Sequence, residues 1–190
     1  MPFSDFQREV AATALKVAAE HGFVLGGGNA LILHGIIDRY TADVDLVTDR
    51  PAGVEAAAAA VEGEVPVGCV IARAGTIIAH ERNRTLADRD PTAHAEMLAI
   101  RAAARALGSE RLTNCDLYVT LEPCAMCAAA IAFARIRRLY YAATDPKGGA
   151  VENGVRFFAS PTCHHRPDIY GGIGEAEAAA LLQEFFRARR

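Results

Sequence analysis

The chain has no apolar run long enough to cross a bilayer. Its longest uncharged stretch, residues 21–37, is broken by three consecutive glycines, an asparagine and two histidines, whereas a membrane helix needs about 20 mostly apolar residues. Charge of one sign does not accumulate either. With 20 basic and 23 acidic side chains the net charge is −3, which excludes a bulk electrostatic footprint for nucleic acid and leaves any RNA contact local. Cysteine is sparse and odd in number, five in all, and the opening residues MPFSDFQREV hold no apolar signal core. A disulfide framework is therefore excluded, and a cytoplasmic location is expected. What remains is a chain of 190 residues, 52% hydrophobic and 23% charged. That composition excludes disorder and collagen, and the length allows one ordinary domain with at most a short extra module.

Acidity concentrates in the front third: residues 1–61 hold eight acidic and four basic side chains, the remainder fifteen and sixteen. Helical spacing of Phe6, Val10, Ala14 and Val17 predicts a helix over 5–20, stopped at Gly22. A strand around Val24, a helix over 29–36, a strand over 44–47 and an alanine-rich helix over 52–61 follow. From Glu62 onward the pattern predicts a hairpin (65–73 and 76–81). After it come helix 92–107, strand 117–121, helix 124–134 and strand 138–142. A loop over 145–169 then leads to a last helix at about 174–189. Alternating strands and helices of these lengths predict an α/β domain with helices on both faces of one sheet. The loop is longer than the usual ~12 to 15 residues, which points to a functional role.

The chemistry concentrates in His94-Ala95-Glu96 and Pro123-Cys124-Ala125-Met126-Cys127. Cysteines at i and i+3 share one helical face and, as thiolates, suit zinc. His94 supplies a third ligand, and three protein ligands leave room for water, as in catalytic zinc sites. Glu96, two residues beyond His94, is placed as a proton shuttle and not as a fourth ligand. Both motifs fall at predicted helix starts, where free N–H groups favour thiolates. A lone CxxC also fits a redox pair or a structural zinc site, but H-x-E followed by P-C-x-x-C is the signature of zinc nucleobase deaminases. Hydrolytic deamination is the expected reaction.

Over residues 62–190 the chain resembles the bacterial tRNA-specific adenosine deaminases of the cytidine deaminase-like superfamily. The resemblance is carried by EVPVG at 64–68, DPTAHAEMLAIR at 90–101, LYVTLEPCAMCAAAI at 117–131, DPKGGA at 145–150 and FFRARR at 185–190. It implies a three-layer α/β/α sandwich, one zinc per subunit on His94, Cys124 and Cys127, and Glu96 as the catalytic acid/base. It further implies a homodimer acting on the wobble adenosine of a tRNA anticodon stem-loop. By position, Asn83 resembles the residue that hydrogen-bonds the flipped nucleotide, and Asp145 and Lys147 resemble loop residues near its backbone. Phe185, Phe186 and Arg187 resemble last-helix residues covering neighbouring bases. Periodicity alone makes one of the two phenylalanines a core anchor, and Arg187, Arg189 and Arg190 also fit a solvated helix end. Cys163-His164-His165 reads as a pocket-lining loop or a second metal site, and Cys69 and Cys115 as packing or surface thiols. A free base or nucleoside such as guanine or cytosine is the alternative substrate, and an RNA-binding or toxin-like module with an inactive deaminase the alternative of another class.

The front segment departs from that family. Residues 26–46 resemble the start of a nucleotidyltransferase-like fold of the toxin type, in which a glycine pair grips phosphates and a D-x-D strand holds magnesium. Gly26, Gly27, Asp43 and Asp45 occupy those positions. Carboxylates at i and i+2 on a strand point to one side, as a magnesium site requires. A third carboxylate and further strands are lacking. The expected organisation is a partial nucleotidyltransferase-like extension over 1–51 and a zinc-dependent deaminase domain over 52–190.

Overall fold

The structure, a computed structural model, describes residues 24–26, 45–47 and 51–189. The chain divides into two compact units, Met1–Arg50 and Pro51–Arg190. In the first, β1 (Val24–Gly26) pairs antiparallel with β2 (Asp45–Val47), setting Val24 opposite Val47 and Gly26 opposite Asp45. The helices expected over 5–20 and 29–36, together with Gly27 and Asp43, lie outside the described residues.

The second unit runs α1 (Pro51–Val61), β3 (Gly68–Arg73), β4 (Thr76–Arg82), α2 (Ala95–Leu107), β5 (Cys115–Leu121), α3 (Ala125–Phe133), β6 (Arg138–Ala143), a 3-10 turn (Phe157–Ala159), β7 (Asp168–Tyr170) and α4 (Glu175–Arg187). The strands form one mixed sheet in the order β4-β3-β5-β6-β7. β3 is antiparallel to both neighbours, while β5, β6 and β7 run parallel. Strand alternation divides the sheet's two faces. Cys69, Ile71, Leu117, Val119 and Leu139 point into the main core. There they meet Ala95, Ala99 and Ala103, a stripe at every fourth residue of α2, and Ala128, Ile131 and Ala132 of α3. Alanine on those stripes lets both helices lie close to the sheet. The opposite face carries α1 and α4. A Cβ on Gly68 would strike the Ala52 carbonyl oxygen and lie 2.6 Å from the Ala56 nitrogen, so only glycine permits α1 to pack this closely on β3. The sandwich thus has the expected three layers.

Element ends differ from the sequence reading for local reasons. β3 starts at Gly68 and not at 65, because Pro66 has no N–H to donate and Val67 N–H turns back to the Val65 carbonyl at 2.7 Å. α2 starts at Ala95 and not at 92, because Asp90 Oδ1 accepts from both the Thr92 N–H (2.8 Å) and its hydroxyl (2.7 Å), holding a turn there. It ends on Gly108 (φ 62°), whose left-handed conformation closes the last turn. The expected loop over 145–169 contains the 3-10 turn and the start of β7, which pairs Leu139 with Ile169 on the sheet edge. No helix among the described residues is long and apolar enough to cross a membrane.

Candidate metal centre and active site

His94 and Cys124 are the N-cap residues of α2 and α3, both with extended backbones and with no side-chain capping hydrogen bond. An N-cap side chain normally turns back onto its own helix; these two are left to face each other. His94 Nδ1 lies 3.8 Å from Cys124 Sγ and 3.6 Å from Cys127 Sγ, and all three donor atoms fall within 4.8 Å of one another. With Zn–N of ~2.0 Å and Zn–S of ~2.3 Å, a tetrahedral site requires N···S edges of about 3.5 Å. The observed edges meet that requirement, and the soft donor set fits zinc. One imidazole and two sulfurs leave a fourth corner for water or substrate.

The two thiols and the imidazole titrate as one coupled set. Cys124 is pushed down to about 4, first by the hydrogen bond with the Cys127 thiol and then, against burial, by His94. Its partner Cys127 is pushed up, since it holds the shared proton and is buried. Glu96, in the first turn of α2, is 4% exposed. Burial raises it above the ordinary carboxylate range, opposed by a backbone hydrogen bond and by the nearby His94. A carboxyl so placed exchanges protons nearer neutral pH than a solvated one.

Two buried glutamates, which sequence reasoning left without roles, hold the loops around this centre. Glu64 is 1% exposed. It accepts hydrogen bonds from the Leu86 and Ala87 N–H groups (2.8 Å each), Thr85 Oγ1 (3.2 Å) and Asn83 Nδ2 (2.9 Å). The strand end carrying Asn83 lies beside the turn that delivers His94, because Arg84 N–H donates to the Ala93 carbonyl at 3.0 Å. Glu122, 2% exposed, accepts from the N–H groups of Asp145, Val151, Glu152 and Asn153 and from Asn153 Nδ2, at 2.6 to 3.0 Å. Burial alone would raise Glu122, but these N–H groups outweigh it and leave its carboxyl low. The only sequence signal for either was an acid between apolar neighbours, in EVPV and TLEP, where a buried charge demands donors.

The remaining candidates are placed differently. Asp145 Oδ1 accepts from Lys147 and Gly148 N–H at 3.0 Å each, so it shapes the turn that displays the exposed Lys147. Phe185 is the core anchor, 7% exposed, with the Arg189 guanidinium 3.6 Å over its ring. Phe186, at 49%, and Arg187 face solvent. Cys163-His164-His165 forms no ligand cluster among the described residues; His165 Nε2 bonds the Ile136 carbonyl at 2.7 Å. Cys69 and Cys115 are fully buried in the core.

The family model of the cytidine and deoxycytidylate deaminase zinc-binding region matches residues 50–143. A tRNA-specific adenosine deaminase of Agrobacterium fabrum is 62% identical over 137 residues, spanning 72% of this chain and 90% of that protein. One from Aquifex aeolicus is 44% identical over 72% of this chain and 89% of its own length. Among solved structures, one from a study of A-to-I editing by tRNA:A34 deaminases superposes with a TM-score of 0.69 at 62% identity, over 70% of this chain and 96% of that one. A guanine deaminase of Nitrosomonas europaea gives 0.56 at 25% identity, over 71% and 80%. Sequence and fold agree with the ligand geometry, and the chain belongs to the cytidine and deoxycytidylate deaminase family, among its tRNA-specific adenosine deaminases.

Proposed function

We propose that this protein converts adenosine at the wobble position of a tRNA anticodon stem-loop to inosine, by hydrolytic loss of the 6-amino group as ammonia. The carrying observation is the His94–Cys124–Cys127 triangle, sized for zinc, with the buried Glu96 in the adjoining helical turn. These three residues would hold one zinc per subunit, which would supply the Lewis acidity for water to lose a proton near neutral pH. Glu96 is the catalytic residue: it takes that proton and passes it to the ring nitrogen, then carries the proton of the new C6 hydroxyl to the amine, which departs as ammonia. Asn83 hydrogen-bonds the flipped nucleotide, Asp145 and Lys147 border its backbone, and Phe186 and Arg187 cover neighbouring bases. The exposure of Lys147, Phe186 and Arg187 supports those contacts.

The working form is a homodimer. Leu86, Phe133 and Val155 leave 70%, 69% and 70% of their surfaces exposed, apolar area that a second copy would cover. Five free cysteines, two of them zinc ligands, suit a reducing cytoplasm. Residues 1–51 are a partial nucleotidyltransferase-like extension without nucleotidyl transfer of its own, and 52–190 carry the deaminase. The test is a substrate panel: tRNA with adenosine at the first anticodon position, free adenosine, guanine and cytosine. An A-to-G change at that one position on reverse transcription supports the assignment. Faster turnover of a free base overturns it. Asp43→Ala with Asp45→Ala should leave editing unaltered, and magnesium-dependent nucleotide transfer by the parent would refute the reading of the extension.

A further inference from the structure

The Asn83 carboxamide can turn either its oxygen or its nitrogen toward the site, and the surrounding groups decide which. Glu64 Oε2 lies 2.9 Å from one end of that carboxamide. A carboxylate already accepting from Leu86 N–H, Ala87 N–H and Thr85 Oγ1 has no proton to give, so the end facing it must be the NH2 group. The second NH2 hydrogen goes to Thr85 Oγ1 at 3.2 Å. Both donors of Asn83 are thus used within the protein. Its Oδ1 takes no hydrogen bond among the described residues and is not one of the buried, unpartnered polar atoms. We propose that Glu64 is a positioning residue that fixes the Asn83 amide with its oxygen outward, making that point of the site an obligatory acceptor for a hydroxyl or amino hydrogen of the bound nucleotide. The inference rests on the proposed deaminase reading and assigns the polarity of one of its contacts.

The geometry supplies its own test. Glutamine at position 64 must keep its oxygen on the Leu86 and Ala87 N–H groups, because backbone donors cannot turn. Its NH2 then faces the NH2 of Asn83, which can only relieve the conflict by rotating and sending its own NH2 into the site. Aspartate at position 83 beside Glu64 sets two carboxylates against each other. Combined, the changes match again. The introduced amide donates to the introduced carboxylate and to Thr85 Oγ1, the Thr85 hydroxyl donates to that same carboxylate, and the second carboxylate oxygen points outward as an acceptor.

The experiment is a four-member cycle on the full chain: parent, Glu64→Gln, Asn83→Asp and the double variant. Each is measured for kcat and KM on a wobble-adenosine stem-loop, for zinc content and for thermal midpoint. Each single substitution should raise KM and lower kcat/KM about tenfold or more with zinc retained, the effect of a buried polar group left unmatched. The double variant should recover to within about threefold of the parent, a coupling that independent sites do not show. A double variant no better than the worse single, or a Glu64→Gln variant within about twofold of the parent, overturns the proposal. Should a single variant not fold, a folded, active double variant supports the pairing and an inactive one overturns it. If the parent deaminates only a free base, the function assignment fails and the cycle is read on that base. If it deaminates nothing, side-chain amide NMR reads the orientation: slow exchange of the Asn83 Nδ2 protons in the parent, lost in Glu64→Gln, supports it. Exchange at the bulk rate in the parent overturns it.

Discussion

Replacing Glu122 by glutamine turns one carboxylate oxygen into an amino group at a point where five donors converge. Oε1 accepts from the N–H groups of Val151, Glu152 and Asn153, and Oε2 from Asp145 N–H and Asn153 Nδ2. The better glutamine rotamer keeps its oxygen on the three adjacent N–H groups. The Asn153 amide can rotate to answer the new NH2, but Asp145 N–H cannot turn and is left without an acceptor. One orphaned donor costs about 1 to 3 kcal/mol, and loss of charge from the remaining bonds adds a comparable amount. A destabilisation of about 2 to 6 kcal/mol follows, or roughly 4 to 24 °C in thermal midpoint. Its pH dependence has a definite sign. Because the folded carboxyl is held low, Glu122 contributes its charge-dependent stability above the unfolded value of about 4.3 and loses it as pH falls through the folded value. The parent–variant difference should therefore shrink below about pH 4. Denaturant titrations across pH, on zinc-loaded protein, measure it. A Gln variant within about 0.5 kcal/mol of the parent at neutral pH, or a difference that grows on acidification, refutes the reasoning.

Glu96→Ala should keep its zinc yet lose turnover by ~100-fold or more, since a general acid/base is worth about 10² to 10⁴; rates within a few-fold of the parent would remove Glu96 from the chemistry. Gly68→Ala should destabilise the deaminase unit by about 2 kcal/mol or more, as its methyl meets the backbone of α1, and calorimetry showing an unchanged midpoint would contradict the packing of that helix. Lys147→Ala with Arg187→Ala should weaken tRNA binding and flatten its salt dependence while zinc content stays at one per subunit. An unchanged salt slope would return both residues to the solvated surface.

The metal centre was legible because its code is local: two cysteines three apart at a helix start and a histidine with a glutamate two residues on. The fold needed only to set two N-caps face to face, and alternating strands and helices announced the layers that do so. β7 was not legible. Asp168-Ile169-Tyr170 is too short for alternation to register, and it is a strand only because β6 offers a parallel edge. Periodicity could not choose between Phe185 and Phe186; packing did, with Arg189 closing over Phe185. Glu64 and Glu122 escaped because most of their partners are main-chain N–H groups about 20 to 30 residues away, and no side-chain pattern records such a clamp.

Hydrolysis of one adenosine in an intact tRNA fold leaves a solvent oxygen in the product, which incubation in heavy-oxygen water reads out. A tRNA with adenosine at the first anticodon position is treated with the zinc-loaded protein, digested and analysed by mass spectrometry. Inosine is expected at that position alone, carrying one solvent oxygen at C6, with one ammonia released per inosine formed. Unchanged tRNA beside deamination of free guanine or cytosine, or inosine without the solvent label, would contradict it.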